Sequence, residues 1–224
     1  MSESGDFYTT EEAARLIGVG QRRVQQMLDH GDLARVARGL VGATSVDRYL
    51  AAHPNSRTRA WAEHTAWAAI ALLSGTHVDW LGPTQTSRLR ATLREITAPA
   101  DLVARARDRA VVHTYAGHPS AIGGLIHDMT TTDQAGLGLT PNSVERVDGY
   151  IEAATLDSTV SFLGLREDPT GAITVRATNF NFDIVVELAD EIVLAALDAA
   201  TSLDPRERGV GERALAAVLE NHRR

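Results

Sequence analysis

Two short helices are predicted near the start of the chain, because apolar residues recur there every three or four positions. The first is expected to begin at a cap supplied by Thr9 or Thr10 and to end before Gly18. The second covers residues 21–30, and Gly31 is placed to terminate it. The positions expected to face the core are Ala13, Ala14, Leu16 and Ile17 in the first helix and Val24, Met27 and Leu28 in the second.

A hairpin and a third helix are predicted to follow. Two short strands flank Gly39, and Thr44 or Ser45 is expected to cap the helix. The strands cover residues 33–38 and 40–44, and the helix ends near Ala52. Two helices joined by a tight glycine-containing turn are the pattern of the helix-turn-helix, in which the second helix enters the major groove of DNA.

Helices dominate the next part of the chain. The stretch His53–Ser56 is a predicted linker, and Ser56 is expected to cap a largely apolar helix over residues 57–73. Further helices are predicted over residues 83–96 and after Pro99. The three tryptophans of this part are expected to belong to its core rather than to a ligand-binding cage.

From Ala110 onward, predicted strands and helices alternate. Strands are predicted at residues 110–117, 146–152 and 171–180, and helices at 118–128, 155–165 and 204–222. Residues 183–200 are predicted to run from an apolar strand, which holds Asp183 and Glu187, into a helix.

The fold class predicted by this pattern is α+β. The expected domains are a winged helix-turn-helix at residues 1–55, a helical connector at 56–109 and an α+β C-terminal domain at 110–224. A chain of 224 residues with 44% hydrophobic residues can bury a core. The sequence has no long apolar run and no apolar signal segment, so we expect a soluble, cytoplasmic protein without a membrane partner.

Charge is distributed unevenly along the chain. The net charge of −7 argues against broad affinity for nucleic acid. Between Arg15 and Arg59, however, there are 8 arginines and 3 acidic residues, whereas from Gly117 onward there are 8 arginines and 17 acidic residues. The first part can therefore meet phosphate, and the last part would repel it.

The second predicted helix carries the side chains that a DNA-contacting surface needs. Its outward positions are Gln21, Arg22, Arg23, Gln25 and Gln26. Arginine can donate two hydrogen bonds to guanine, and glutamine can pair with adenine. Arg35 and Arg38 in the hairpin are expected to hold the DNA backbone or enter a minor groove. Taken singly, Arg22, Arg23 and Gln26 could simply belong to a solvated helix face.

No catalytic, metal-binding or cofactor-binding site is predicted. The sequence lacks the glycine-rich nucleotide-binding and serine-nucleophile motifs, and it has no cysteine. His113, His118 and His127 match no metal-ligand spacing and are expected to be surface or capping residues. Asp183 and Glu187 would lie about 13 Å apart on a strand, too far to share one ion.

The segment "YTTEEAARLIGVGQRRVQQMLDHGDL…ARG…TSVDRYLA" resembles the helix-turn-helix head of MerR-type regulators and excisionases. The resemblance covers about Tyr8 to Ala52 and departs from the family at Gly20, where a serine cap is more usual. It implies DNA binding by this head. An excisionase is usually little more than the head, so the long remainder of this chain argues against that reading.

Most of residues 57–220 resembles actinobacterial AbiEi-type antitoxins of type IV toxin–antitoxin loci. The segments that carry the resemblance are "RTRAWAEHTAWAAIALLSG", "VVHTYAGHPSAIGGLIHD", "VDGYIEAATLDSTVSFLGL" and "VLAALDAATSLDPRERGVGERALAAVLE". It implies a repressor that binds inverted repeats in its own promoter. Because a single head makes few phosphate contacts, we expect two copies on a repeated site, either as a dimer or as two cooperative monomers. The C-terminal domain would counter a nucleotidyltransferase toxin, AbiEii. The alternative is a MerR-like regulator whose C-terminal domain senses a small molecule or a protein effector.

Overall fold

A computed structural model describes residues 7–52, 58–139, 146–168 and 171–223. The chain divides between Ala52 and His53 into two compact units. The predicted linker at His53–Ser56, including the expected cap at Ser56, lies outside the described residues. The two units together contain helices and two small sheets, which confirms the predicted α+β class.

The N-terminal unit combines helices with an antiparallel sheet. Its elements are β1 (Phe7–Thr9), α1 (Thr10–Ile17), α2 (Gln21–His30), β2 (Arg35–Ala37), β3 (Leu40–Gly42) and α3 (Ala43–Ala52). The strand order is β1-β3-β2, so β3 lies in the middle. The strand β1 was not predicted, and it pairs with β3 over all of its residues.

A reciprocal cap begins α1. The backbone amide of Glu12 donates to Thr9 Oγ1 at 3.2 Å, and the Glu12 carboxylate accepts from the Thr9 backbone amide at 2.8 Å. Of the two threonines considered from the sequence, Thr9 is therefore the cap. Gly18 and Gly31 end α1 and α2 with φ of 77° and 83°, a left-handed conformation that glycine adopts without steric cost.

Two details of the N-terminal unit differ from the prediction. Leu16 was expected in the core, but 48% of its surface is exposed because Ala13, Ala14 and Ile17 already fill the inward side of α1. Ser45 was one of two expected caps for α3, but it lies within that helix. Its hydroxyl accepts from the Ala34 amide and donates to the Gly42 carbonyl, so it ties the hairpin to the helix.

The C-terminal unit surrounds a mixed sheet with helices. The helices are α4 (Glu63–Leu73), α5 (Pro83–Glu95), α6 (Pro99–Ala106), α7 (Pro119–Asp128), α8 (Leu156–Phe162), α9 (Phe182–Ala189), α10 (Ile192–Ala200) and α11 (Pro205–Arg223). The strands are β4 (Val111–Ala116), β5 (Val147–Glu152), β6 (Arg166–Glu167) and β7 (Ile173–Thr178). Short 3₁₀ turns occupy Arg107–Arg109, Ala135–Leu137 and Ala153–Thr155.

The sheet order in this unit is β5-β7-β4-β6, with β5 and β7 parallel and the other pairs antiparallel. Successive residues of a strand point to opposite faces. Ile173 and Val175, predicted to share one face, are both buried there with side chains of α7. On the other face, Thr178 accepts a hydrogen bond from the indole of Trp67 in α4.

The helices of the predicted connector share one hydrophobic core with the helices at the end of the chain. Apolar side chains of α4, α5 and α6 are buried in the same cluster as those of α9, α10 and α11. Trp67 is fully buried and stacks on Phe180 with ring centres 5.9 Å apart, while Trp61 and Trp80 pack against the same cluster. The tryptophans are therefore core residues, as predicted.

The helix predicted from residue 57 begins later, at Glu63. The Trp61 amide donates to the Arg105 carbonyl at 2.8 Å, and the Arg105 guanidinium lies over the Trp61 ring. Glu63 accepts from the Asn179 amide and the Thr178 hydroxyl. These tertiary contacts hold the segment before Glu63 out of the helix.

The strand predicted at the start of residues 183–200 is wrong. Those residues form two helices, α9 and α10, and the side chain of Asn181 caps α9 by accepting from the Asp183 amide at 3.1 Å. Val185 and Leu188 are buried whereas Val186 is 44% exposed, which is a helical pattern. Asp183 and Glu187 are both exposed on α9, so the 13 Å separation expected for a strand does not apply.

A buried network of charged and polar side chains joins α10 to the sheet. Asp198 accepts from the Arg109 guanidinium and from the Tyr150 hydroxyl, the latter at 2.8 Å. Arg176 forms two hydrogen bonds to Asp148, at 2.7 and 2.8 Å, and lies 3.4 Å from Asp198. Two arginines thus face two aspartates, and the charges balance within the interior.

The pKa values of this network follow from burial and charge. Burial alone would lower the pKa of Arg109, but Tyr150 and Asp198 raise it above its ordinary value. Burial likewise opposes the charge on Arg176, and Asp148 and Asp198 outweigh that effect, so its pKa is also raised. Both guanidinium groups therefore stay charged, and burial raises the pKa of the Tyr150 phenol, which stays protonated as a donor.

Replacing Asp198 with alanine should destabilise the C-terminal unit by about 3–5 kcal/mol, because buried Arg109 loses its carboxylate acceptor and buried Arg176 loses a neighbouring negative charge. Urea unfolding followed by circular dichroism would measure the change. Asp190→Ala is the matched control, since Asp190 is exposed and should shift stability by no more than about 0.5 kcal/mol. Equal effects of the two variants would contradict a stabilising role for the network.

Gly211 marks the closest approach of α11 to α10. A Cβ at Gly211 would lie 2.6 Å from the Ala196 carbonyl and would also collide with the Ala200 amide. We expect Gly211→Ala to lower the free energy of unfolding by about 1–3 kcal/mol or more, because the colliding backbone atoms of α10 cannot rotate away as a side chain could. At Gly209, in the same helix, a Cβ meets only the flexible end of Arg213. Gly209→Ala should therefore be neutral or stabilising by up to about 1 kcal/mol, measured in the same urea titration.

Candidate nucleic-acid interface

The side of α2 that faces outward is determined by the side that packs on α1. Val24 and Met27 are fully buried and Leu28 is nearly so, in one cluster with Ala13 and Ile17 of α1. Gly18 and Gly20 permit the short turn that brings the two helices together. The structure therefore confirms both the predicted bounds of α2 and its predicted buried residues.

All five polar positions predicted for DNA contact on this helix are exposed. They are Gln21, Arg22, Arg23, Gln25 and Gln26. With about 3.6 residues per turn, Arg22 and Gln26 lie opposite the buried stripe. Gln25 and Arg23 lie at the two sides of this outward face, and Gln21 lies beside the buried stripe. The structure thus brings two of the five to the centre of one face.

The first turn of α2 has no side-chain cap. Gly20 occupies the N-cap position, and its carbonyl accepts from the Arg23 amide at 2.9 Å. Glycine lacks the oxygen that a serine would place over the first amides of the helix. Those amides carry the positive end of the helix dipole, which has the same sign as the exposed guanidinium groups of Arg22 and Arg23, so this end of α2 favours anions.

The hairpin places its two predicted arginines at different points. Arg35 lies on β2 and Arg38 lies in the turn beside Gly39, and both are exposed. The Gly39 carbonyl accepts from the Thr10 amide at 3.1 Å, so the turn is fastened to the start of α1. Within the described residues, Arg22, Arg23 and Arg38 make no ion pair, whereas Arg35 does.

Asp29 is a residue of this surface that the sequence analysis missed. Its Oδ1 accepts from Gln25 Nε2 at 2.9 Å and from the Arg35 guanidinium at 2.8 Å. It therefore links α2 to β2. The spacing of Gln25 and Asp29 at i and i+4 is a signal that could have indicated the first bond, but the pairing with Arg35 depends on the tertiary fold.

Other candidate residues do not assemble into a site. His113 is half-buried on β4 and stacks on Tyr115, and burial lowers its pKa although Glu167 and Asp157 act in the opposite direction. His118 caps α7 by accepting from the Ser120 amide, as a capping residue was expected to do. His127 is exposed. In the part of the chain that the structure describes, no three histidine or acidic side chains form a group that could hold a metal ion.

Comparisons with family models, curated proteins and solved structures give no match for this chain. Among the helices within the described residues, none combines the length and the apolar character that crossing a membrane requires.

The cap of α1 should make the N-terminal unit sensitive to pH. The Thr9 amide and then its hydroxyl lower the pKa of Glu12 below the ordinary value of 4.5. A lowered folded-state pKa contributes stability above the unfolded-state pKa, and that stability is lost as pH falls through the folded-state value. Glu12→Gln should therefore lower the melting temperature of this unit at neutral pH, and the difference from wild type should shrink in acid.

The melting of this unit can be followed in the full chain through the NMR signal of the buried Met27 methyl group. Glu11→Gln is the control, because it removes a neighbouring charge whose ion pair with Arg15 is exposed on both sides. If the difference between wild type and Glu12→Gln were the same at every pH, the capping carboxylate would have no part in the stability of the unit.

Proposed function

We propose that the N-terminal unit is a winged helix-turn-helix that binds double-stranded DNA in a sequence-specific manner. In this arrangement α2 enters the major groove, and the hairpin of β2 and β3 is the wing. The observation that carries the proposal is the face of α2 centred on Arg22 and Gln26, which is polar, exposed and held on a helix that packs on α1. These side-chain types form bidentate hydrogen bonds with guanine and adenine.

The roles of the individual residues follow from their positions. The exposed polar residues near the start of α2 would contact base edges, namely Gln21, Arg22, Arg23 and Gln26, and Gln25 would assist from the side of this face. Arg35 and Arg38 would contact the DNA backbone from the wing. The uncapped amides at the start of α2 would add an attraction for phosphate.

The C-terminal unit is unlike a phosphate-binding surface in its charge. Residues 53–224 contain 16 arginines and 22 acidic residues, so this unit would repel DNA and favour a basic partner. We propose that the protein represses its own promoter through the N-terminal unit. In line with the resemblance to AbiEi-type antitoxins, the C-terminal unit would counter a nucleotidyltransferase toxin without catalysing a reaction itself.

Two copies of the head are expected on each operator. One small head makes few phosphate contacts, and two copies on an inverted repeat would supply both affinity and specificity. The copies could be a dimer or two monomers that bind cooperatively. Sedimentation of the protein with and without a duplex that carries the repeat would distinguish them.

The first test is the binding of the full chain to the DNA upstream of its own gene, measured by fluorescence anisotropy over a salt series. We expect tight binding to that duplex, weaker binding to a shuffled duplex and a steep loss of affinity with salt. Arg22→Ala/Arg23→Ala should lower the affinity for the upstream duplex at least about tenfold, because each arginine–base contact is worth about 1–3 kcal/mol.

The matched control is Arg88→Ala/Arg90→Ala, which removes two exposed arginines from α5 in the C-terminal unit. This variant has the same net charge as the first and should bind like wild type. If both double variants bind alike, or if wild type shows no preference between the duplexes, sequence-specific DNA binding by α2 is refuted.

A further inference from the structure

The carboxylate of Asp29 occupies a shared position between the two DNA-contacting elements. One oxygen, Oδ1, accepts from Gln25 in α2 and from Arg35 in β2, at 2.9 and 2.8 Å. An acidic side chain at this place is unexpected on a surface meant for phosphate, because it repels the DNA backbone. Its presence therefore requires an explanation other than affinity.

Stability does not provide that explanation. The side chains of Arg35 and Asp29 are 41% and 60% exposed. Ion pairs this open to solvent contribute little to folding, since water and salt screen them. The bonds instead determine where two flexible side chains lie before DNA arrives.

The bond to Asp29 fixes the orientation of the Gln25 side-chain amide before DNA binds. One hydrogen of Nε2 lies on the side of the amide oxygen and the other points away from it, and Asp29 accepts one of the two. Adenine pairs with the oxygen and the hydrogen on the same side, so this role of Asp29 requires that it accept the hydrogen that points away. A glutamine already held in place loses less conformational entropy when it binds.

The bond to Asp29 also restrains the side chain of Arg35. Its charge is balanced by Asp29, and its side chain is held against the end of α2. A phosphate on any DNA sequence would have to compete with this carboxylate for the guanidinium. A DNA sequence that forms base contacts with α2 gains enough binding free energy to offset the loss of the Asp29–Arg35 ion pair. A DNA of arbitrary sequence lacks those base contacts and does not.

We propose that Asp29 is a positioning residue that sets the DNA selectivity of this head. It orients Gln25 for base contact and withholds Arg35 from nonspecific phosphate contact. The inference rests on the proposed function and adds to it a residue that lowers affinity for arbitrary DNA in exchange for discrimination.

The test compares Asp29→Asn with wild type in the full chain. The probes are a duplex selected by wild type from a random library and a shuffled duplex of the same composition. We expect Asp29→Asn to bind the shuffled duplex about 3- to 10-fold more tightly, because Arg35 is released to phosphate. The logarithmic salt slope on that duplex should steepen by about 0.9, the increment for one added phosphate contact. Affinity for the selected duplex should rise less, so that the ratio of the two affinities falls.

Asp32→Asn is the matched control. Asp32 lies in the exposed loop after α2 and carries the same charge, but it makes neither of the two bonds described for Asp29. It should change both affinities by the same small factor and leave their ratio unchanged. Asp29→Glu keeps the charge with a longer reach and should recover part of the ratio. If Asp32→Asn lowers the ratio as much as Asp29→Asn does, the effect is net charge and the positioning role is wrong.

NMR of the free protein gives a readout independent of DNA. In wild type, the side-chain amide of Gln25 and the guanidinium of Arg35 should show shifts and slowed motion that Asp29→Asn removes. If wild type discriminates between the duplexes but Asp29→Asn keeps the same ratio and the same side-chain signals, the inference fails and the proposed function stands. If wild type does not discriminate at all, the proposed function fails and takes the inference with it.

Discussion

The contact between Val24, Met27 and Leu28 of α2 and the inner side of α1 determines the direction of every other side chain on α2. An α-helix has a fixed rotation per residue, so burying three positions leaves the opposite positions in solvent without further choice. The short glycine-containing turn limits how far the two helices can slide past each other. The polar face is thus a geometric result of a small apolar contact, and the hairpin beside it is fastened to α1 at Gly39 and to α2 at Asp29.

The C-terminal unit follows a different principle. Its apolar core is extensive, but α10 and the sheet meet through the buried charges of Arg109, Arg176 and Asp198 and the partly exposed Asp148. Buried charges add little net stability compared with apolar packing, but they tolerate very few alternative arrangements, because any shift leaves a group unpaired. The network therefore specifies how the helices sit on the sheet, while the apolar cluster around Trp67 supplies most of the driving force.

The parts of the structure that depend on local spacing were predictable from the sequence. The bounds of α2, the glycines that end α1 and α2, and the shared buried face of Ile173 and Val175 in β7 follow from periodicity and capping. One error lies where distant residues decide, since Trp61 donates a hydrogen bond to Arg105 and α4 begins only at Glu63. The other is a local signal that was overlooked, because Asn181 caps α9 two residues before Asp183 in a run that resembles a strand. The exposed positions of the candidate interface were predictable in the same local way. The bond between Asp29 and Arg35 was not, because it joins a helix to a strand that only the fold brings together.

The buried charge network also limits how this sequence can change over evolutionary time. Removing any one aspartate or arginine leaves an unbalanced charge in the interior, so the intermediate between two acceptable combinations is itself unfavourable. Positions 109, 148, 176 and 198 should therefore drift together or stay fixed, and their substitutions should be strongly non-additive. Among related chains, a correlated change at these four positions would mark a lineage in which the interior was rebuilt.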